Sequence, residues 1–483
     1  MTRTSHTAEP TDPGRPQRSP QTQLDAGHWQ RRLDALAERH QVPGAVLGIL
    51  RLCPGGRDEL MEAAYGVLNK DTGVPVTTDS LFQIGSITKV WTATQVMQLV
   101  DEARLDLDAS VLDVIPELRL PDPEAAKRLT MRHLLTHTSG IDGDLFIDTG
   151  RGDDCLERLV GLLGGIPQNH PVGATWSYCN SGFSLAGRIV EKLTGMTWDQ
   201  ALRERIVAPL GLEHTVTLPE DALLYRAAVG HASLGEAAPS RVSFWGLARS
   251  GGPAGQIIST AADVLAFARM HLCAGAAADG TSVLSAESTA AMAGYHASTE
   301  PDQQTLGDSW GLGWQRFGLD GHRLIGHNGN THGQAAFLRL LPEQGLAVTL
   351  LTNGGNTPDL YEDLYGEILA EVAGVAMPQA LTPPVEPVSV DIRRHLGRYV
   401  RASTIIEVFE RDGTPVLRHT TTGSLAELVP PVQEFTLQAV DESGDAFLVR
   451  QPQLRTWQPV TFYSLPTGEQ YLHHSARATP KVD

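Results

Sequence analysis

Cysteine is scarce in this 483-residue chain: Cys53, Cys155, Cys179 and Cys273 form no C-x-x-C pair and no Cys/His spacing suited to a metal. Cysteine this sparse is read most simply as reduced, in a cytoplasmic protein. Basic residues are in the minority. Thirty-eight Lys and Arg against 56 Asp and Glu leave a formal net charge of −18, which argues against nucleic acid and against anionic membrane surfaces as partners. No run of about eighteen apolar residues occurs, so no segment reads as a membrane span. An apolar stretch is also missing from the start of the chain, where Pro10, Pro13, Pro16 and Pro20 stand among Thr, Ser, Arg and Gln. Residues 1–24 therefore read as a disordered tail and not as a secretory signal. No internal repeat is visible.

What is present suffices for a large core: 41% of the residues are hydrophobic, and the length suits two or three units. Residues 25–376 mix helical and strand patterns. Trp29, Leu33, Leu36 and Ala37 mark one side of a helix over 28–40. A strand is expected over 44–50 with a hairpin partner over 60–68, a short helix from Thr130 to Gly140, and antiparallel strands over 322–330, 335–341 and 345–351. A helix over 359–372 closes this unit. Residues 377–390 carry Pro378, Pro383, Pro384 and Pro387 and read as a stiff linker. From 391 to 483 the pattern changes to about eight short β-branched and aromatic runs, which predict a small barrel or sandwich.

Gly85-Ser86-Ile87-Thr88-Lys89 leads into an apolar stretch in which Ala93, Val96, Met97 and Val100 recur at helical steps. Ser86 thus starts a helix with one buried face, and Lys89 lies one turn on. Desolvation and the positive helix end both disfavour the ammonium, and a neutral lysine is the proton acceptor that a serine nucleophile needs. Alone, S-x-x-K fits equally a serine cap and a solvated lysine. Tyr178 and Asn180 fall at the mouth of a helix marked by Phe183, Ala186, Ile189, Val190 and Leu193 and stopped by Gly195. Two residues apart in extended chain, they point the same way; a packing tyrosine and a helix-capping asparagine fit as well. His327-Asn328-Gly329 lies on an expected strand.

Taken in order, Ser86-x-x-Lys89, Tyr178-x-Asn180 and His327-x-Gly329 resemble the serine β-lactamase and penicillin-binding-protein superfamily. The likeness is to its class C-like branch, and Leu134-Leu135-Thr136-His137-Thr138-Ser139-Gly140 also looks like that branch. The resemblance implies an α+β fold, an antiparallel sheet flanked by helices with an all-helical subdomain. The all-β end is similar to the lipocalin-like barrel that some members carry.

By the same resemblance Ser86 is the acylated nucleophile, and Lys89 and Tyr178 share the base work. Asn180 bonds Lys89 and the substrate amide. The N–H groups of Ser86 and Asn330 form the oxyanion hole, and Gly329 lets a substrate backbone lie along the strand. Many members have K-T-G where this chain has His327, and a neutral histidine weakens recognition of a free carboxylate. Within the branch H-x-G goes with esterases, D-aminopeptidases and peptide-cyclising thioesterases. The expected activity is therefore release of a nonribosomal peptide, presented on a carrier protein, as a macrolactam. The alternatives are a D-aminopeptidase-, carboxypeptidase- or esterase-type hydrolase, a β-lactamase, or a non-catalytic binding protein on the same fold. No cofactor and no metal is implied.

Other patterns carry less. Gly307-Asp308-Ser309-Trp310-Gly311 fits the G-x-S-x-G elbow, but it lacks the buried strand before it and the helix after it. His322, His327 and His332 are evenly spaced but have no acidic partner motif. His473-His474 reads as surface or strand, Cys179 as inert packing pointing away from the site, and Arg477 as a solvated tail residue or a cation that reaches the site from the β unit.

Overall fold

The computed structural model describes residues 24–482 apart from 54, 234–237, 302–305, 424, 425 and 427–431. The expected N-terminal tail, save its last residue, lies outside the described residues. Nine strands make one antiparallel sheet, in the order Val74–Pro75, Glu59–Asn69, Gly44–Arg51, Leu346–Thr352, Gln334–Leu341, His322–Thr331, Gln315–Leu319, Ser309–Trp310 and Ala297–Ser298. The expected hairpin is present, with Gly44 opposite Gly66 and Arg51 opposite Glu59. Gly44–Arg51 is apolar almost throughout because both of its faces are covered. Ala45, Leu47 and Ile49 pack with Trp29 and Leu33 of helix Ala26–Arg39 and with Leu360 and Leu364 of helix Thr357–Ile368. Val46 and Leu50 face the helical subdomain on the other side.

The helix that follows Ser86 runs from Thr88 to Asp101, and every residue from Thr88 to Leu99 is buried. The spacing of Ala93, Val96, Met97 and Val100 predicts a single buried face; the helix is instead enclosed all round. Trp91 stacks on Phe267 of helix Ala261–Leu272 with ring centroids 3.9 Å apart. The polar residues that hid this burial from a hydrophobicity pattern are tied to backbone. Thr92 donates to the carbonyl of Pro253 at 2.8 Å, and Gln98 to that of Val283 at 2.8 Å. A helix held this way is a rigid base for the residues at its N-terminus.

Beyond a stretch without regular elements, nine short strands form a four-stranded sheet, Gly397–Arg401 to Val432–Thr436, and a five-stranded sheet, Gln438–Ala439 to Arg477–Pro480. They share one core that includes Tyr399, Ile406, Leu417, Phe447, Phe462 and Leu472. Among the described residues this is a pair of packed sheets and not the closed barrel expected. The chain changes sheet at Leu437, and the strand that follows is only the two residues Gln438–Ala439. A single bridge, Tyr399 to Lys481, joins the far edges. The β unit is docked on the helical subdomain. The Tyr178 N–H donates to the Ala476 carbonyl at 2.9 Å, the Ala478 N–H to the Ser177 hydroxyl at 3.1 Å, and the Tyr471 hydroxyl to the Asn169 carbonyl at 3.1 Å.

Candidate active site

Ser86 sits in the 3₁₀ turn Gly85–Ile87, immediately before the buried helix. Lys89, one turn on and fully buried, points its Nζ to the Ser86 Oγ at 3.0 Å and to the Ala254 carbonyl at 2.7 Å. Burial, and after it the charge of Arg477, push the Lys89 ammonium well below the usual lysine range. The amine is therefore poised to accept a proton. Nζ also lies 4.8 Å from the centroid of the Tyr178 ring and 5.6 Å from that of Phe183. The Tyr178 hydroxyl bonds Ser86. Burial pushes its ionisation above the usual tyrosine value, and the bond to Ser86 offsets this only in part. The phenol thus keeps its proton, while the amine beside it gives its proton up.

Tyr178 and Asn180 reach the same place from the start of helix Asn180–Thr194. Asn180 is the first residue of that helix and does not cap it; the cap is Cys179. The Cys179 Sγ accepts from the Gly182 N–H at 3.1 Å and donates to the Ile141 carbonyl at 3.3 Å, with burial raising its pKa to about 11. Its packing role is as expected; its capping of the helix was not foreseen. The expected bond from Asn180 to Lys89 is not formed. Asn180 Nδ2 donates to Asp144 Oδ1 at 3.3 Å, because the loop carrying Asp144 runs against the second motif. Gly143 makes that approach possible: a Cβ there would lie 2.3 Å from the Tyr178 carbonyl oxygen.

Strand His322–Thr331 supplies the third side. A Cβ on Gly329 would sit 1.9 Å from the Ile84 carbonyl oxygen and 3.1 Å from the Ser86 nitrogen. Only glycine lets the strand lie this close to the Ser86 turn. The backbone of Asn330 is thereby brought beside that of Ser86, and both residues line one cavity of about 420 Å³. His327 lines it too. Its Nδ1 donates to the Asn328 carbonyl at 2.6 Å. Burial, and then the charge of Lys89, lower its pKa to about 3, so the ring is neutral.

The C-terminal unit closes the cavity. Arg477, His473 and Ser475 line it together with Ser86 and Tyr178. Arg477 is no solvated tail residue. It donates to both oxygens of Asp144, from Nη2 at 2.7 Å and from Nε at 3.1 Å, and Arg401 Nη1 donates to the same carboxylate at 2.6 Å. Burial pushes the Asp144 carboxyl up, but the two arginines outweigh it and hold the group well below the usual carboxylate range. The hairpin presenting Arg477 turns on Ser475 and Ala476, at φ 50° and 65°. A two-residue turn of this kind normally takes glycine or asparagine, so backbone strain is held beside the site. His473 and His474 lie on strand Gln470–His474 and are both buried; of the two expected positions, strand or surface, the strand holds and the surface does not.

The competing patterns fall away from the centre. Ser309 is on a two-residue strand near the sheet edge and bonds Asp308 at 2.5 Å. Trp310 beside it packs on His327, with ring centroids 5.6 Å apart. His322 bonds Glu343 at 2.9 Å and His332 packs against Phe244, so the three evenly spaced histidines share no point. Sequence reasoning missed Asp144 and Arg401, neither of which stands in a motif.

Fold and comparisons together define a serine hydrolase, with Ser86 at the head of a buried helix. The β-lactamase family model matches residues 29–373, and the chain belongs to that family. Penicillin-binding protein 4 of Amycolatopsis lactamdurans is 48% identical over 381 residues, 78% of this chain and 98% of that protein. The crystal structure of SurE superimposes with a TM-score of 0.74 at 27% identity, covering 95% of this chain and 99% of that one. D-amino acid amidase from Ochrobactrum anthropi SV3, in complex with L-phenylalanine amide, gives a TM-score of 0.58 at 25% identity over 71% of this chain and 99% of its own. Among the described residues no helix is long and apolar enough to cross a membrane.

Proposed function

We propose that the chain is a peptidyl acyltransferase: it takes a peptide from a carrier-protein thioester onto Ser86 and releases it when the peptide's own amine attacks, giving a head-to-tail lactam. The observation that carries this reading is the β unit lining the cavity at Ser86 through Arg477, His473 and Ser475. A walled acyl-enzyme keeps water from the ester long enough for a tethered amine to arrive. The likeness to SurE, which extends over both units and includes a complex with D-Leu, supports a peptide with a D-residue at the reacting end.

In this reading neutral Lys89 takes the Ser86 proton as Oγ attacks the thioester carbonyl. The N–H groups of Ser86 and Asn330 receive the developing oxyanion. Tyr178 passes a proton to the leaving thiolate and recovers it from Lys89. The attacking amine then returns a proton along the same path. Among the described residues lining the cavity Arg477 is the only cation, and it is already paired with Asp144. A free substrate carboxylate therefore finds no unpaired cation there, which disfavours β-lactam and cell-wall peptide substrates.

Purified protein incubated with a linear peptide thioester ending in a D-residue tests the proposal by mass spectrometry: cyclic product supports it, and linear acid alone refutes cyclisation. A second reading, hydrolytic release by the same Ser86 ester, is favoured by the identity to penicillin-binding protein 4; linear acid alone is its signature. Labelling by a fluorophosphonate that Ser86→Ala abolishes assigns the nucleophile in either case.

A further inference from the structure

His137 stands where a helix ends and where glycine is the usual choice. Helix Met131–Leu135 closes with the Thr138 N–H donating to the His133 carbonyl at 3.0 Å, a closure that puts the residue just before Thr138 in the left-handed region. That residue is His137, at φ 59°. Glycine would sit there at least cost. Here a fully buried histidine is held in the conformation instead, and strain of this kind is kept where a site uses it.

The use is visible at the second motif. Residues 176–179 belong to no helix or strand, so no ladder holds their backbone. His137 supplies the partners. Its carbonyl accepts from the Ser177 N–H at 2.9 Å, and its Nδ1 accepts from the Cys179 N–H at 2.9 Å. A backbone N–H only donates, so Nδ1 bears no proton and the neutral ring carries it on Nε2. Burial holds the pKa of the ring well below the usual histidine value, which keeps it neutral. One residue thus grips the chain on both sides of Tyr178. The imidazole also packs on the Tyr178 ring, with centroids 4.3 Å apart, and Phe183 and Trp310 enclose it at 5.3 and 4.8 Å. Its Nε2 has no hydrogen-bond partner among the described residues, so the ring hands no proton on.

We propose that His137 is a positioning residue: by gripping the backbone at Ser177 and Cys179 it aims the Tyr178 hydroxyl at Ser86, and acylation depends on that aim. This rests on the acyl-transfer reading above, in which Tyr178 bonds Ser86 and protonates the leaving thiolate. Without the Nδ1 acceptor the Cys179 N–H is left buried and unpaired. The chain there shifts to recover a bond, and Tyr178 shifts with it. Since a misplacement of about 1 Å typically costs about 10²-fold in rate, a loss of about 10–100-fold is expected.

A double-mutant cycle on the full chain tests this. Acylation is read as kcat/KM for thiol release from a linear peptidyl N-acetylcysteamine thioester, and folding as Tm. His137→Phe keeps a ring against Tyr178 and removes the acceptor; its kcat/KM is expected to fall about 10–100-fold. His137→Asn offers an acceptor at the place of Nδ1 and tolerates the left-handed backbone, so it is expected to stay within about threefold of wild type. In a Tyr178→Phe background there is no hydroxyl to aim, and adding His137→Phe is expected to cost less than about threefold more. A merely structural role would give the same fold-loss in both backgrounds. His137→Leu, near histidine in volume and without an acceptor, takes the place of Phe in the cycle if His137→Phe does not fold. A wild-type rate in His137→Phe, an equal loss in His137→Asn, or the same fold-loss in the Tyr178→Phe background overturns the proposal. Thiol release unaffected by Tyr178→Phe overturns it too, while leaving acyl transfer at Ser86 in place. No thiol release by wild type overturns the acyl-transfer reading and this proposal with it.

Discussion

The guanidinium carbon of Arg477 stands 4.8 Å from the centroid of the Tyr178 ring, which places a charge from the C-terminal unit directly over the second motif of the catalytic unit. The two sides of that contact are locked by backbone, since the Tyr178 N–H donates to the Ala476 carbonyl. Lys89 feels the same charge as the second cause of its lowered pKa, after burial. The β unit is therefore an electrical part of the site and not only a wall.

That coupling runs through Asp144, which anchors both Arg477 and Arg401. Asp144→Ala leaves buried Arg401 and half-buried Arg477 without their shared carboxylate, a loss of about 3–5 kcal/mol for an uncompensated buried charge. The expected outcome is a lowered Tm and faster proteolytic cleavage within residues 377–390, a stretch without regular elements, as the β unit loosens. Unchanged Tm and cleavage in the variant would show that the ion cluster does not hold the units together.

Lys89→Met keeps the length and burial of the side chain and removes the proposed base. Acylation by a thioester or a fluorophosphonate is expected to slow about 10²–10⁴-fold, with a Tm no lower than wild type because a buried amine is gone. In wild type the acylation rate is expected to rise with pH as Lys89 loses its proton. That limb should lie well below the ordinary lysine value of ~10.4, since burial depresses the group. A limb at the ordinary value would mean that Lys89 is not the base.

Much of this site was legible because its parts are local in sequence. Ser86 and Lys89 are one helical turn apart, Tyr178 and Asn180 two residues apart, and Gly329 declares its close approach by being glycine. The ion cluster was not legible, because Asp144 finds Arg401 across 257 residues and Arg477 across 333. No periodicity encodes such a pairing. The same holds for the partner of Asn180: the motif says that the side chain faces the site, while the unforeseen Asp144 decides what it bonds. The all-round burial of helix Thr88–Asp101 was hidden by its Thr and Gln residues, whose partners are backbone carbonyls from distant segments.

Gly329→Ala tests the close approach of strand and nucleophile turn. The added methyl would lie 1.9 Å from the Ile84 carbonyl oxygen, so the strand must retreat. Overpacking of this kind typically costs about 1–3 kcal/mol, and the proposed oxyanion donors, the Ser86 and Asn330 N–H groups, separate as the strand moves. The expected result is a folded protein of lower Tm whose acylation is slowed about 10²–10³-fold, the usual effect of losing one such donor. Acylation at the wild-type rate would show that the Asn330 N–H takes no part.

Acid should unfold this protein before its carboxylates account for it. Burial lowers His271, His327 and His473 to about 3, and His170 and His474 to about 4. In the unfolded chain each titrates near ~6.5. Between those limits the unfolded state binds more protons than the folded one, so stability falls as pH drops. Well below pH ~6 each such group contributes about 1.4 kcal/mol per pH unit. Acting together, these groups outrun the ~5–15 kcal/mol that a folded domain commands. Asp144, held low by its arginines against burial, adds its own loss only below about pH 5, where the unfolded aspartate begins to protonate. A Tm series by differential scanning fluorimetry should therefore decline from pH ~6.5 downward and reach cooperative unfolding above pH ~4. A flat Tm from pH 7 to pH 5 would mean that these imidazoles are hydrated and protonate in place, and the neutral state assigned to the His327 ring would go with it.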